Sequence, residues 1–414
     1  MNLASDYRSA PTMTTSSQIT FYYDVVCPYA YLASRRIEAL AQRVGATIRW
    51  CPILLGGVYK SIQSAQVPAQ TWAPQKVTIG NADLVRNAEY HNVTLNRPKD
   101  HPRRTVNAMR LLTATTGDLR VKLTHALYRA YWVEGRDLSS RTVLDELAVK
   151  HGISPAVIDS TQARDGLFAA TAEAVDKGVF GVPAFLVDDQ LWWGQDRMHF
   201  VEAACGGAVD QSHPTHDPIG SIQFFHDFSS PYSYLGSTQI DRVCGRHGCD
   251  VEYKPILLGG LFRTIGTPDV PFLTMSEAKR QYIIKDMNDW AKWWGVAFQF
   301  PSQFPVRTIL PLRASIVEPK ATHPLYTALW AQDRNISIPE VVAEVLQEAG
   351  LDAEGIIEGT QDPAVKAVLR TNTEEAAEIG CCGVPTFHIN NQLIWGQDRI
   401  HLIEAMVSGA WRRN

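Results

Sequence analysis

One pattern laid end to end twice limits this chain to two copies of one fold. Ile19–Leu32 reads ITFYYDVVCPYAYL and Ile222–Leu235 reads IQFFHDFSSPYSYL. PILLGG occurs at Pro52–Gly57 and again, unchanged, at Pro255–Gly260. GVPAF (Gly181–Phe185) and GVPTF (Gly383–Phe387) follow, each succeeded by WGQDR at Trp193–Arg197 and Trp395–Arg399. Pro28 and Pro231 stand 203 apart, Pro52 and Pro255 203, and Pro183 and Pro385 202, so the register scarcely drifts. A unit of roughly 190 residues is a whole domain; solenoid repeats run to about 20–50. The copies differ at one telling position: before the shared Pro-Tyr stands Cys27 in the first and Ser230 in the second.

The 414 residues suit two domains, each able to bury its own core. A formal charge of −4 argues against nucleic acid or an anionic membrane as the main partner. No apolar run reaches the eighteen or so residues of a membrane span. The polar, Ser/Thr-rich residues 1–18 lack the apolar core of a secretory signal and read as a disordered tail. Their acid-poor character also permits an organelle transit peptide. Seven cysteines (27, 51, 205, 244, 249, 381, 382) fall at different places in the two halves. A disulfide framework would have been duplicated with the domain, so reduced thiols and a cytoplasmic setting are expected. Cys244 and Cys249 in CGRHGC have no second Cys/His pair at suitable spacing, and no metal site is expected.

Each half opens with an aromatic-rich strand (Ile19-Phe21-Tyr23; Ile222-Phe224) and an aspartate, Asp24 or Asp227. Proline after Cys27 or Ser230 suits the first position of a helix, where its missing N–H costs nothing. Helices over Tyr31–Arg43 and Tyr234–Arg246 and strands over Thr47–Pro52 and Asp250–Pro255 complete a βαβ unit. The middle of each half, about 70–175 and about 273–375, reads as helical, with apolar spacing in Val121–Tyr131, Val143–Val149 and Leu325–Leu346. Each half then closes with strands Ala184–Val187 or Thr386–Ile389, a turn at Asp188-Asp189 or Asn390-Asn391, a further strand, and a helix from near Asp196 or Asp398. The expected domains are 19–205 and 221–411, joined by a Gly/Pro/His-rich linker, 206–220.

These motifs, in the same order twice, resemble the thioredoxin superfamily. More narrowly they resemble its branch of kappa-class glutathione transferases, 2-hydroxychromene-2-carboxylate isomerases and DsbA-like oxidoreductases. DFSSPYSYL, PILLGG and WGQDR make the second half the nearer match. The resemblance implies an α/β fold of two tandem thioredoxin-fold domains, each with a helical insertion. It also implies glutathione as cofactor, because serine replaces the thioredoxin-motif cysteine and the thiol comes from bound glutathione.

On that resemblance Ser230 holds the sulfur, with a helix N-terminus favouring thiolate; a plain helix cap explains the same residue. Val384 and Pro385 would supply a cis-proline whose neighbouring backbone pairs with the cysteinyl part of glutathione. Asp398 would receive the γ-glutamyl amine, a role compatible with capping the last helix. Lys60 and Arg263, after each LGG, are candidates for a carboxylate partner, although lone surface cations are commonly just solvated. The first half keeps Val182, Pro183 and Asp196, so a ligand pocket can persist there. Its Cys27-Pro28-Tyr29-Ala30 has no resolving cysteine for an intramolecular dithiol–disulfide cycle. Cys27 is either a catalytic or redox monothiol or the relic of an accessory site. Cys381 and Cys382 precede the Val-Pro and read as packing residues near Ser230, with a redox role as the alternative. The tryptophans of DWAKWWG (Asp289–Gly295) suit either a flat-substrate pocket or a helix core.

Three functions remain open on this reading. The first is a glutathione-dependent isomerase or transferase acting on a conjugated, aromatic-derived small molecule. The second is a monothiol DsbA-like oxidoreductase or peroxidase working through Cys27, and the third a binding protein whose pockets have drifted. Members resembling each half are commonly homodimers, so an intrachain pseudo-dimer is expected.

Overall fold

The computed structural model describes residues 17–208, 220–268 and 270–411. Most of the expected linker and almost all of the expected tail lie outside them. Among the described residues, no helix is long and apolar enough to cross a membrane.

The first half runs β1 (Gln18–Tyr23), α1 (Pro28–Ser34), α2 (Ile37–Val44), β2 (Thr47–Pro52) and α3 (Leu55–Ser61). Five helices follow: α4 (Pro74–Tyr90), α5 (Val106–Thr113), α6 (Gly117–Trp132), α7 (Arg141–Lys150) and α8 (Thr161–Asp176). It ends with β3 (Ala184–Val187), β4 (Gln190–Trp193) and α9 (Met198–Ala204). The second half repeats the order: β5 (Ser221–His226), α10 (Pro231–His247), β6 (Asp250–Pro255) and α11 (Leu258–Ile265). Then come α12 (Glu277–Trp294), α13 (Ile309–Val317), α14 (Thr322–Trp330), α15 (Pro339–Glu348), α16 (Ala353–Gly359) and α17 (Pro363–Glu378), before β7 (Thr386–Ile389), β8 (Gln392–Trp395) and α18 (Ile400–Val407).

Each half builds one four-stranded sheet, in the orders β2-β1-β3-β4 and β6-β5-β7-β8. β1 runs parallel to β2 and antiparallel to β3, and β5 does the same with β6 and β7. The central strands are buried on both faces, which accounts for their unbroken apolar runs: Phe21, Tyr22 and Tyr23 are fully buried, as are Phe224 and Phe225. On one face of the second sheet Ile222 and Phe224 pack with Ile240, Val243, Ile403 and Val407 of α10 and α18. On the other, Phe225 packs with Phe262, Cys381, Cys382 and Ile79.

Ile79 comes from the first half of the sequence. By compactness the chain forms two units: one takes in residues 17–68, 84–208 and 276–279, the other 69–83, 220–275 and 280–411. A division at the linker alone would assign 69–83 and 276–279 the other way round. The beginning of α4 thus belongs to the second unit and the beginning of α12 to the first.

Local differences have local causes. The helix expected over Tyr31–Arg43 is broken at Arg35-Arg36. The Arg36 guanidinium donates to the carbonyl of Gln195 at 3.2 Å and to its side-chain oxygen at 2.5 Å. Gln239 stands at the equivalent place in the second half, and α10 runs through unbroken. The apolar pattern across Leu325–Leu346 belongs to two helices, α14 and α15, rather than one.

The expectation of reduced cysteines fails at one pair. Cys244 and Cys249 form a disulfide, Cα to Cα 4.6 Å, across the end of α10. Gly248, in the left-handed region at φ 70°, turns the chain back so that the Cys249 N–H donates to the Cys244 carbonyl at 3.2 Å. The first unit makes the same turn at Gly45 with Ala41 and Ala46 at the two places, which is why duplication logic missed the bond. The other five cysteines are free thiols. Replacing both Cys244 and Cys249 by alanine should cost about 2 kcal/mol of stability, from loop closure over so short a segment. Denaturant unfolding should show that loss against the oxidised protein and no difference once both are in dithiothreitol. Equal stability under oxidising conditions would overturn the assignment.

Candidate active site

A buried carboxylate organises each site. Asp227 accepts from Ser229 N–H (2.9 Å), Leu258 N–H (2.8 Å) and the Thr308 hydroxyl (2.7 Å). Asp24 accepts from Val26 N–H (3.2 Å), Leu55 N–H (3.0 Å) and the Thr105 hydroxyl (2.8 Å). Burial pushes both carboxyls above their ordinary range, opposed by these hydrogen bonds. The aspartate after each first strand therefore pins three things together: the loop before the Pro-Tyr helix, the PILLGG helix and the start of α5 or α13. The second glycine of LGG is needed for close packing, since a Cβ on Gly57 would lie 3.1 Å from the Thr171 methyl on α8.

Ser230 caps α10, its Oγ accepting from Ser233 N–H at 3.2 Å. The same Oγ donates to the Val384 carbonyl at 3.2 Å, so capping and a link to the Val-Pro loop coexist. The Val384-Pro385 peptide is cis, and Pro385 lies so near α10 that a Cβ on Gly236 would meet its ring at 3.3 Å. The first unit has the same geometry with sulfur for oxygen. Val182-Pro183 is cis, and Cys27 Sγ donates to the Val182 carbonyl at 3.1 Å. Burial pushes the Cys27 thiol up to about 12, although the N–H groups of Ala30 and Tyr29 pull the other way. Tyr59, whose phenol is pushed up by burial and then by Cys27, stands where the second unit has Phe262.

WGQDR forms a turn after β4 or β8. Gly194 and Gly396 have φ 107° and 103°, and a Cβ on either would collide with the carboxylate of Asp196 or Asp398. Asp398 lies 3.3 Å from the Arg399 guanidinium, which in turn makes a two-pronged pair with Asp83 at 2.7 and 2.9 Å. Both partners of that pair are nearly buried. Asp196 pairs with Arg197 at 2.7 Å.

Lys60 and Arg263 sit exposed in the last turns of α3 and α11, without an ion pair to a described residue. A different lysine enters each unit. Lys76 lies over the ring of Trp395, 5.4 Å from its centre, and 4.5 Å from that of Trp72. Burial lowers its pKa, and the Cys382 thiol is close enough to act against that shift. Among the described residues it has no carboxylate partner. In the first unit Lys279 lies 5.5 Å from the centre of Trp193. Sequence reading passed over Lys76, Lys279 and Asp83, although Lys76 and Lys279 hold the same repeat position, 203 apart, as do Asp83 and Asp286. In the DWAKWWG segment, Trp290 is buried and packs at a tilt against Trp294, ring centres 4.6 Å apart.

The second site thus combines a hydroxyl at a helix N-terminus, a cis-proline carbonyl, a half-buried ammonium beside an indole, and an aspartate next to an arginine. Of these, the hydroxyl at the N-terminus of α10 can stabilise negative charge near Ser230.

The family model for DSBA-like thioredoxin domains matches the chain twice, over residues 18–206 and 221–408. A 2-hydroxychromene-2-carboxylate isomerase of Pseudomonas putida is 30% identical over 203 residues, covering 47% of this chain and 97% of the relative. Glutathione S-transferase kappa 2 of Caenorhabditis elegans is 29% identical over 199 residues, covering 43% of this chain and 88% of the relative. A solved 2-hydroxychromene-2-carboxylate isomerase aligns with TM-score 0.41 and 26% identity, over 46% of this chain and 94% of that one. Each of these matches spans about half of the present chain. With the family matched in both halves and the same sheet order in each, the chain belongs to the DsbA-like thioredoxin domain family and carries that domain in tandem.

Proposed function

We propose that the protein is a glutathione-dependent isomerase or transferase acting on a conjugated, aromatic-derived small molecule, with the second unit as its working site. The observation that carries this reading is the Ser230 hydroxyl, held at the start of α10 against the Val384 carbonyl beside the cis-proline. The donor set suits the tripeptide: Lys76 is an ammonium without a carboxylate partner among the described residues, and Asp398 lies in the turn after β8 whose Gly396 N–H donates to the Pro385 carbonyl at 3.0 Å.

When bound, glutathione supplies a sulfur nucleophile. Ser233 N–H already occupies a lone pair of Ser230 Oγ, so the hydroxyl proton is the part that can be redirected, from the Val384 carbonyl to a sulfur anion. The N-terminus of α10 adds positive potential at the same point, which favours thiolate over thiol near neutral pH. Lys76 serves a carboxylate of the tripeptide and Asp398 its amine. Activated double bonds are the acceptors this arrangement suits, and the choice between regenerating and conjugating glutathione rests on the acceptor.

Ser230→Ala should lower turnover with a thiol acceptor by about 10- to 100-fold, the worth of one charge-assisted hydrogen bond. Its thermal unfolding should change far less, and unchanged turnover would sink the assignment. Lys76→Gln should weaken glutathione about tenfold or more by calorimetry; Lys60→Gln and Arg263→Gln should not.

One observation favours a second reading, monothiol redox chemistry at Cys27: its sulfur takes the place of the Ser230 oxygen against an equivalent cis-proline carbonyl. Burial opposes it by holding the thiol protonated at neutral pH. With that thiol pushed up to about 12, Cys27 should react with iodoacetamide at pH 8 at least ~100-fold more slowly than an unperturbed cysteine. Fast alkylation that abolishes activity would move the function to the first unit.

A further inference from the structure

The outer edge of the first sheet carries a cleft of about 280 Å³ that takes no part in the site at Cys27. Its wall is β2 on one side, through Arg49, Trp50 and Cys51, and α8 on the other, through Ala170 and Glu173, with Arg120 of α6 at one end. Arg49 and Glu173 form a two-pronged pair at 2.7 and 2.8 Å, bridging the two walls. Arg120 donates to the carbonyls of Trp50 (3.0 Å), Leu112 (3.2 Å) and Thr113 (3.4 Å).

Three features make this cleft rich in donors. β2 is an outer strand, so every second residue turns its backbone away from β1. Thr47 and Ile53 direct their N–H groups toward the β1 side, accepted by Ser17 and Tyr23 at 2.8 and 3.0 Å, which leaves Trp50 facing outward. Its carbonyl is taken by Arg120, and its N–H points to the same open edge. Arg49 and Arg120 each keep guanidinium hydrogens beyond those their partners use. Tyr22, the β1 neighbour of Cys51 on this face of the sheet, lies behind the cleft rather than in its wall: it is fully buried, and its hydroxyl has no hydrogen-bond partner among the described residues. Cys51, Glu173 and Arg49 are the ionisable groups that act on that phenol. Against these donors stands one carboxylate, Glu173, with both oxygens already engaged.

The second unit shows what closes such a cleft. Phe225 stands where the first unit has Tyr22, and Lys254 where it has Cys51. The Lys254 ammonium reaches across to Glu252 at 3.1 Å and Glu375 at 3.2 Å, occupying the equivalent space from within. The cleft and the unsatisfied phenol therefore occur together in the first unit, and the second has neither the phenol nor the short side chain.

We propose that this cleft is a binding site for a small organic carboxylate. Its carboxylate is received by the Trp50 N–H and the guanidiniums of Arg49 and Arg120, and its apolar body lies on the α8 wall at Ala170. The site is independent of the glutathione reading, since none of its residues belongs to either Val-Pro loop.

The test uses the full chain with benzoate and salicylate as probes, titrated by calorimetry and followed by chemical-shift changes of the Trp50 amide. Saturable one-site binding is expected in wild type and in Ser230→Ala. Cys51→Lys, which builds the second unit's own closure, should abolish it. Arg49→Gln, which removes one lining guanidinium and leaves the cleft open, should weaken both probes about fivefold or more. Thermal unfolding checks that both variants are folded, and Arg49→Gln decides the matter if Cys51→Lys is not. Competition by sodium phosphate at equal concentration would assign the site to inorganic anions instead and overturn the proposal. Absence of saturable binding, or binding indifferent to both substitutions, would overturn it as well.

Discussion

The aspartate at the end of each central strand is the interaction on which both halves depend. A carboxylate in an apolar interior is costly unless its lone pairs are filled, and here two backbone N–H groups and a threonine hydroxyl fill them. Those donors come from three separate stretches of sequence, so one side chain sets where the Pro-Tyr helix begins, where the PILLGG helix begins and where the following helical layer begins. The position of Ser230 or Cys27 against the cis-proline carbonyl is a consequence of that knot. Wet or unpaired, the same carboxylate would undo all three at once.

Around that common frame the two units have diverged in a correlated way. The first has a thiol at the helix start, a phenol from α3 and a phenyl ring, Phe180, tilted against Trp193 with ring centres 4.9 Å apart. The second has a hydroxyl at the helix start, Phe262 on α11, and a thiol, Cys382, at the place of Phe180. A polar atom stands on the third helix in one unit and just before the Val-Pro in the other, Tyr59 against Cys382, while the cis-proline, the tryptophan and the aspartate of WGQDR stayed. Charge at the sheet edge has changed too, with Arg49 in one unit and Glu252 in the other holding the same strand position. The frame tolerates these exchanges because none of them touches the buried carboxylate's donors.

Much of this could be read from the letters alone. Fixed offsets between motifs gave two copies of one fold, and alternation and aromatic content located the central strands. Proline after Cys27 or Ser230 marked where the helices start. What escaped depends on distant partners. The break at Arg36 comes from Gln195, 159 residues away, and no local pattern announces it. The disulfide escaped because alanines hold its places in the other copy. Lys60 and Arg263, read as carboxylate partners from their nearness to LGG, stand exposed in the last turns of α3 and α11. Lys76 and Asp83 were missed because membership of a folded unit is a property of space, and a helix can begin in one unit and end in another.

That last point bears on how such a chain can change over time. Residues 69–83 are written in the first half and serve the second unit; 276–279 are written in the second and serve the first. A break in the gene at the linker would hand each fragment a lysine meant for the other's tryptophan and leave it without its own. Selection on codon 76 is therefore exercised through Trp395, some three hundred positions downstream. Once a duplicated chain has traded segments in this manner, its halves have a shared inheritance, and neither is free to be lost or copied alone.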